Sequence, residues 1–193
     1  MKSLTLIPFG GLANRVYAIT SSIGFCEDNN IELKIIWFKD RGMGACFHQL
    51  FNLYPEAKNI KIIDAKWYDY LYDRPRKRNL WLPYLYQKLA FDSLFYEKNL
   101  GRIPFDQWFN SQKNKRTYYA VHCWKFYTKE NIINRLCVVN DLQIRINNQL
   151  NRLSLHTIGL HIRRTDNSKS ITESPFFLFV EKIIEEIAKE PAS

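Results

Sequence analysis

The sequence predicts an α/β protein built on a Rossmann-like, open parallel sheet. In the first 64 residues, short apolar runs of strand length alternate with amphipathic stretches of helical period, and glycine or polar turns separate them. Composition is the third observation: 46% of the 193 residues are hydrophobic. That content is enough to bury a substantial core, and it excludes a largely disordered chain.

The amino end has the pattern of a parallel β-α-β unit. Leu4–Pro8 is the predicted first strand, and Gly10 and Gly11 supply a tight turn after it. Apolar residues at helical spacing then predict a helix from Ala13 to about Asn30. The apolar run Leu33–Phe38 has strand length and predicts the second strand.

Two more elements precede a change of pattern. We expect a short helix over Ala45–Asn52 and a third strand over Ile60–Asp64. Clean periodicity is lost between about residues 66 and 127. The loss predicts an irregular insertion on the sheet, within which Tyr118–Trp124 forms a strand that returns to the core.

The predicted insertion is rich in aromatic residues, with 18 of the 29 in the chain. Aromatic faces suit sugar rings and lipid-linked substrates, so one interpretation is a platform that binds an acceptor. The other interpretation is a satellite hydrophobic core beneath a long connection. The sequence leaves both open.

The formal net charge of +9 is concentrated in one segment, because residues 66–116 hold eleven Lys or Arg and five Asp or Glu. This excess favours an anionic partner: a nucleotide diphosphate, an anionic or lipid-linked acceptor, an acidic membrane surface or a nucleic acid. A solvated basic face is the alternative interpretation.

Three elements are predicted in the carboxyl-terminal part. They are a helix from about Asn140 to Leu153, a strand over Thr157–Ile162 and a final amphipathic helix. Ser174 is a suitable N-cap for the final helix, and Pro175 suits its first position. Its apolar stripe runs from Phe176 to Ile187.

The predicted strand over Thr157–Ile162 leads into the sequence HIRRTD, His161 to Asp166. In open α/β sheets, ligands bind beyond the carboxyl ends of the strands. Arg163 and Arg164 are therefore placed to bind a pyrophosphate through bidentate, permanently charged hydrogen bonds. For Asp166 the alternatives are ligand contact and capping of its own loop, and for His161 they are ligand contact and a structural role at the strand end.

Two motifs together resemble the superfamily of α1,2-, α1,6- and protein O-fucosyltransferases. The first is His-x-Arg-Arg-x-Asp, here His161, Arg163, Arg164 and Asp166. The second is the amino-terminal turn GGLANR, Gly10–Arg15. Either motif alone is weak evidence, but both occur at predicted strand ends and in the order that the family has.

The resemblance implies a glycosyltransferase of GT-B-type architecture that transfers L-fucose from GDP-fucose to a glycan acceptor. It implies inversion, no metal ion and no cofactor beyond the donor substrate. It also implies a role in bacterial polysaccharide biosynthesis and an acceptor that is lipid-linked in one interpretation. Arg163 is the expected catalytic contact to the donor phosphate; the other expected donor-binding residues are His161, Arg164, Asp166, Gly10, Gly11, Asn14 and Arg15. The sequence indicates no catalytic base.

The expected domains are an amino-terminal, acceptor-side domain over residues 1–153, with the insertion at about 66–127, and the start of a donor-binding domain over 154–193. Only 29 residues follow Arg164, whereas a complete domain of this kind needs about a hundred more. We therefore expect an incomplete second domain, and weak donor binding and little turnover by this chain alone.

The remaining expectations concern location and rival functions. No apolar run reaches about 18 residues, no secretion signal is evident, and four cysteines without C-x-x-C spacing suggest reduced thiols. These features favour a cytoplasmic protein, with peripheral association with the inner membrane left open. The rival functions are a basic nucleic-acid-binding module and a noncatalytic sugar-binding relative of the transferases; because the two motifs favour the transferase, no nucleic-acid partner is expected.

Overall fold

The computed structural model describes residues 1–40, 43–54, 59–71, 81–100, 102–112, 114–154, 157–160, 172–173 and 175–189. The chain divides into two compact units, Met1–Gln143 and Ile144–Ser193. The domain assignment made from the sequence, 1–153 and 154–193, stays a prediction.

A five-stranded parallel sheet organises the first unit. Its strands are β1 (Ser3–Pro8), β2 (Glu32–Trp37), β4 (Ile60–Asp64), β5 (Ser93–Tyr96) and β6 (Thr117–His122), and their spatial order is β4-β2-β1-β6-β5. A small antiparallel pair joins β3 (Phe51–Leu53) to β7 (Leu136–Val138). The predicted open parallel sheet of an α/β fold is thus confirmed.

Six helices are described. They are α1 (Leu12–Asp28), α2 (Trp81–Ala90), α3 (Glu97–Leu100), α4 (Phe105–Ser111), α5 (Asn140–Leu150) and α6 (Phe176–Ala188). Three 3₁₀ segments add to them: Phe47–Gln49, Trp67–Leu71 and Ile132–Arg135. Among the helices in the described part of the chain, none combines the length and the apolar character that crossing a bilayer requires.

Hydrophobic clusters cover both faces of the sheet, as is usual for parallel sheets. The larger cluster includes Leu4, Leu6 and Ile35 of the strands and Ile19 and Phe25 of α1. The smaller cluster, on the opposite face, is formed by Ile7, Ile36 and Phe38 with partly buried neighbours. Because a parallel strand alternates its side chains between two buried faces, β1 is a nearly continuous apolar run.

The aromatic residues of the middle segment divide between core and surface. Phe95, Phe105, Trp108, Phe109 and Tyr118 are buried in the larger cluster. Others are exposed: Trp67, Tyr68, Tyr70, Tyr84, Tyr86 and Trp124. The core interpretation of this segment therefore holds for the first group, and the second group remains available for binding.

The helix predicted over Ala45–Asn52 is wrong. This stretch contains the 3₁₀ turn Phe47–Gln49 followed by strand β3. The physical reason is tertiary, because β3 pairs with β7, more than eighty positions later in the sequence. Local periodicity carries no information about such a distant partner.

Two predictions near the second motif are also corrected. Residues 157–160, the described part of the strand predicted over Thr157–Ile162, form no strand. An extended segment becomes a strand only when a neighbour pairs with its backbone groups, and the described part of residues 144–193 supplies none. The sequence predicts Pro175 at the first position of the final helix. In the structure Pro175 is the N-cap of α6, and the helix begins at Phe176.

Candidate functional site at the carboxyl edge of the sheet

The order of the strands marks one place on the sheet where a ligand is expected. The chain proceeds outward from β1 through β2 to β4 and then crosses to β5 and β6 on the other side of β1. The point where the strand order reverses lies between β1 and β6. In open α/β sheets the crevice at the carboxyl ends of these strands is the usual ligand site.

The loops that follow β1 and β6 start side by side. The register pairs Pro8 with His122, the last residues of the two strands. The turn Gly10–Gly11 follows one strand, and Cys123 and Trp124 follow the other. The amino-terminal motif therefore lies at the reversal point.

Gly10 needs to be glycine. Its φ is +94°, a conformation that side chains of L-residues rarely adopt. A Cβ at this position would also lie 3.1 Å from both Cβ and Nδ2 of Asn14. The turn thus depends on glycine for its backbone conformation and for its close approach to Asn14.

The first turn of α1 presents its backbone to the same edge. The N-cap is Gly11, which has no side chain to accept a hydrogen bond from the first amides of the helix. Leu12, Ala13 and Asn14 are exposed. Amides at a helix start, together with the positive end of the helix dipole, favour an anion or a sugar hydroxyl.

Arg15 does not share this exposure; its side chain is 0% exposed. Its Nε donates to the carbonyl of Gly10 at 2.9 Å, and one terminal nitrogen donates to the carbonyl of Phe38 at 2.6 Å. The other terminal nitrogen pairs with Oδ2 of Asp40 at 2.9 Å. The guanidinium also lies over the ring of Trp37, 4.6 Å from its centroid.

These contacts give Arg15 a positioning role in the described structure. It joins the turn after β1 to the loop after β2, where Oδ1 of Asp40 accepts the amide hydrogen of Met43 at 2.9 Å. A planar guanidinium satisfies several acceptors at fixed angles, which a lysine ammonium cannot reproduce. The direct donor contact predicted for Arg15 stays a prediction, and its burial favours an indirect contribution.

The sequence gives no reason to select Trp124, which ends the strand predicted over Tyr118–Trp124. Strand β6 ends at His122, and the Trp124 side chain is 59% exposed. An exposed tryptophan at the reversal point offers a flat face to a sugar ring or a base. Only the place where β6 ends distinguishes Trp124 from the other aromatic residues of this segment.

The residues of the second motif, His161, Arg163, Arg164 and Asp166, lie outside the described residues. Their predicted roles therefore rest on the sequence. Within the described ranges, no cluster of three His, Cys, Asp or Glu side chains has the arrangement of a metal site.

Comparison with solved structures identifies the architecture. No protein-family profile and no curated protein sequence matches this chain. Structures of the α-1,6-fucosyltransferase NodZ match all of it, at 68% coverage of the NodZ chain. The crystal soaked with GDP-fucose gives a TM-score of 0.55 at 11% identity, and the NodZ structure from Bradyrhizobium gives 0.54 at 13%.

The chain has a fucosyltransferase-like fold. A further NodZ structure, co-crystallised with GDP, matches with a TM-score of 0.54 at 13% identity. Sequence identity this low shows the fold alone. The glycosyltransferase fold that the two motifs indicated is therefore confirmed. The reaction and the residues that carry it out stay predictions.

Proposed function

We propose that this chain acts in transfer of L-fucose from GDP-fucose to a glycan acceptor, with inversion and without a metal ion. The observation that carries the proposal is the GGLANR turn at the reversal point of a fucosyltransferase-like sheet. The sequence adds a second motif with two adjacent arginines. NodZ was solved with GDP-fucose and with GDP, which suggests the donor class.

The proposed chemistry places positive charge where negative charge develops. As the bond between the fucose C1 and the diphosphate oxygen breaks, the leaving GDP gains negative charge. The acceptor hydroxyl oxygen bonds to C1 from the opposite face, and its proton is released to solvent. Without a metal ion, fixed cations and backbone amides must stabilise this charge. Arg163 is the proposed main contact and Arg164 the second.

The remaining proposed site residues position the donor. Gly10 and Gly11 bring backbone close to the substrate, and Asn14 extends from the exposed first turn of α1. His161 and Asp166 complete the proposed donor set. Arg15 contributes by fixing the turn through the carbonyl of Gly10.

Trp124 is a further proposed substrate-binding residue. Its exposed ring, two residues after the end of β6 that pairs with the end of β1, is suited to stack on a pyranose or on the guanine base. Replacement by alanine is expected to weaken substrate binding by about 1 to 2 kcal/mol and to leave unfolding unchanged, since the ring is mostly exposed. Calorimetric titration and thermal unfolding of Trp124→Ala measure the two effects.

We propose that the protein acts in the cytoplasm and that its acceptor is a glycan, which is lipid-linked in one interpretation.

Titration calorimetry with GDP, GDP-fucose, UDP and a short single-stranded oligonucleotide tests the proposed donor binding, with Arg163→Ala as the key variant. Arg116→Ala is the matched control, because Arg116 is exposed and lies before β6, at the opposite edge of the sheet. The measurement is made at two salt concentrations.

We expect guanine nucleotides to bind weakly but in preference to UDP, and we expect Arg163→Ala to abolish this binding while Arg116→Ala retains it. Tight oligonucleotide binding that falls steeply with salt, without guanine-nucleotide binding, would favour the nucleic-acid module instead. A guanine nucleotide that binds equally to both variants would remove Arg163 from the site.

A further inference from the structure

Helix α2 buries a polar side chain and exposes apolar ones. Gln87 is 0% exposed, and its Oε1 accepts a hydrogen bond from the hydroxyl of Tyr96 at 2.5 Å. Leu85 and Leu89, one turn apart, lie on the side of the helix opposite Gln87. Leu89 is 80% exposed, and Leu85 is also exposed. A surface helix ordinarily turns its leucines inward, so this outward face requires a partner.

The 3₁₀ segment Trp67–Leu71 packs against α2 and carries exposed aromatic side chains of its own. Trp67 is 83% exposed, and Tyr68 and Tyr70 are exposed beside it. The ring of Tyr70 packs edge-on against Phe38, which lies in the smaller cluster. We call the exposed side chains of these two elements the outer aromatic face; they are Trp67, Tyr68, Tyr70, Tyr84, Leu85, Tyr86 and Leu89.

Lysines flank the outer aromatic face. The ammonium of Lys88 lies 4.6 Å from the ring centroid of Tyr84, and that of Lys66 lies 6.0 Å from Tyr68. Asp69 contributes no outward negative charge, because it is 1% exposed and its Oδ2 accepts the amide hydrogen of Lys66. Across residues 66–90 the sequence has six Lys or Arg and two Asp.

We propose that the outer aromatic face binds the surface of an anionic lipid bilayer. The face combines the three kinds of side chain that an anionic bilayer surface favours. Exposed leucines suit the acyl boundary, tryptophan and tyrosine suit the interface, and the two lysines beside the tyrosines suit the headgroups. A second copy of the chain fits less well, because association through this face would bring two basic segments together. Nucleic acid fits less well because the exposed leucines offer no ring for base stacking and no charge for a phosphate.

Binding to vesicles tests the proposal without donor or acceptor. The protein is floated with vesicles of phosphatidylglycerol and phosphatidylcholine, or of phosphatidylcholine alone, at low and high salt. Trp67→Ala and Leu89→Ser remove apolar contacts. Ile133→Ser is the matched control, since Ile133 is exposed in a 3₁₀ segment that packs on α1, over the larger cluster.

A charge-reversal pair completes the design. The double variant Lys66→Glu, Lys88→Glu is compared with the double variant Lys61→Glu, Lys115→Glu, which changes the net charge equally at two exposed lysines outside the face. Thermal unfolding of every variant establishes that it is folded. We expect binding to the anionic vesicles only, weakened by salt. Trp67→Ala and Leu89→Ser should each lower the partition coefficient, and the charge-reversed double variant should lower it more than tenfold.

The proposal is overturned if anionic vesicles do not bind the chain, or if the control variants lose as much binding as the others. Sedimentation velocity adds a third decisive result. A wild-type dimer that Trp67→Ala disperses, without vesicle binding, would assign the face to self-association. Because nucleotide binding is measured separately, failure here leaves the proposed transferase function unaffected, and the reverse also holds.

Discussion

Arg15 is the residue that fixes the geometry of the carboxyl edge. A buried guanidinium is stable only when acceptors surround it, and Arg15 has two backbone carbonyls and the Asp40 carboxylate. From the sequence, this arginine is expected in a binding site because it ends the GGLANR motif. The acceptors come from loops that only the folded sheet brings together, so the sequence did not reveal them.

Replacement of Arg15 by alanine should destabilise the protein by about 3 to 5 kcal/mol, because Oδ2 of Asp40 and two backbone carbonyls lose the hydrogen bonds that the guanidinium donates. Arg15→Lys should recover only part of this loss. Urea unfolding measures both, with the exposed Arg116→Ala as control. If Arg15→Ala keeps its stability and loses only nucleotide binding, then Arg15 is a direct ligand and the positioning role is wrong.

The cysteines allow a second test at the residue scale. Cys26 is buried, and burial raises the pKa of its thiol well above the usual range, with the neighbouring Glu27 carboxylate adding to the effect. Cys137 is exposed, and no disulfide joins the four cysteines. Since the thiolate is the reactive form, Cys137 should react with a thiol reagent in the native protein and Cys26 only after unfolding. Peptide mapping of labelled protein gives the order; early labelling of Cys26 would contradict its buried position.

At the element scale, helix α1 is held by an aromatic cluster centred on Phe25. Its ring meets those of Phe105, Phe109 and Tyr127 edge-on at 5.0 to 5.6 Å between centroids. Phe25→Ala should cost about 3 to 5 kcal/mol of unfolding free energy, since it leaves a cavity in a packed core. Tyr17→Ala, on the exposed side of the same helix, should cost under about 0.5 kcal/mol. Equal losses in urea unfolding would contradict the packing described.

Asp92 joins the edge strand β5 to β6. Its Oδ2 accepts the backbone amide hydrogens of Thr117 and Arg116 at 2.9 and 3.0 Å, and it also accepts the hydroxyl of Thr117. These bonds, led by the Thr117 amide, lower the pKa of the Asp92 carboxyl. They favour the ionised form in the folded state only.

A lowered pKa in the folded state stabilises the protein above the unfolded-state pKa, and the effect is lost as the pH falls through the folded-state value. Stability should therefore decline below about pH 4, and this decline should be smaller in the isosteric variant Asp92→Asn. Urea unfolding from neutral to acid pH measures the difference. Identical acid profiles for the two proteins would contradict the role of Asp92.

The elements differ in how far the sequence could predict them. Strands β1, β2 and β4 and helix α1 were predicted because each is a run whose local period matches its buried faces. Strand β5, only Ser93–Tyr96, was missed among aromatic residues that obscure any period. Strand β3 was misread as part of a helix because its partner β7 is distant in sequence.

At the scale of the whole molecule, the order of the strands indicates that the amino-terminal motif lies at a ligand site. A Gly-Gly turn is common, but here it lies where the strand order reverses in a fucosyltransferase-like sheet. Trp124 reaches the same place only through the pairing of β6 with β1. The sequence therefore indicated the Gly-Gly turn at this edge but not Trp124.

Hydrogen exchange with and without GDP-fucose tests the assignment of the donor site, because it locates the bound donor on the chain. We expect slower exchange in peptides that span Gly10–Asn14 and in those that span Arg163 and Arg164. UDP-glucose should have no such effect, and Arg163→Ala should abolish the protection. Protection elsewhere in the chain, with these two segments unchanged, would contradict the assignment of the donor site.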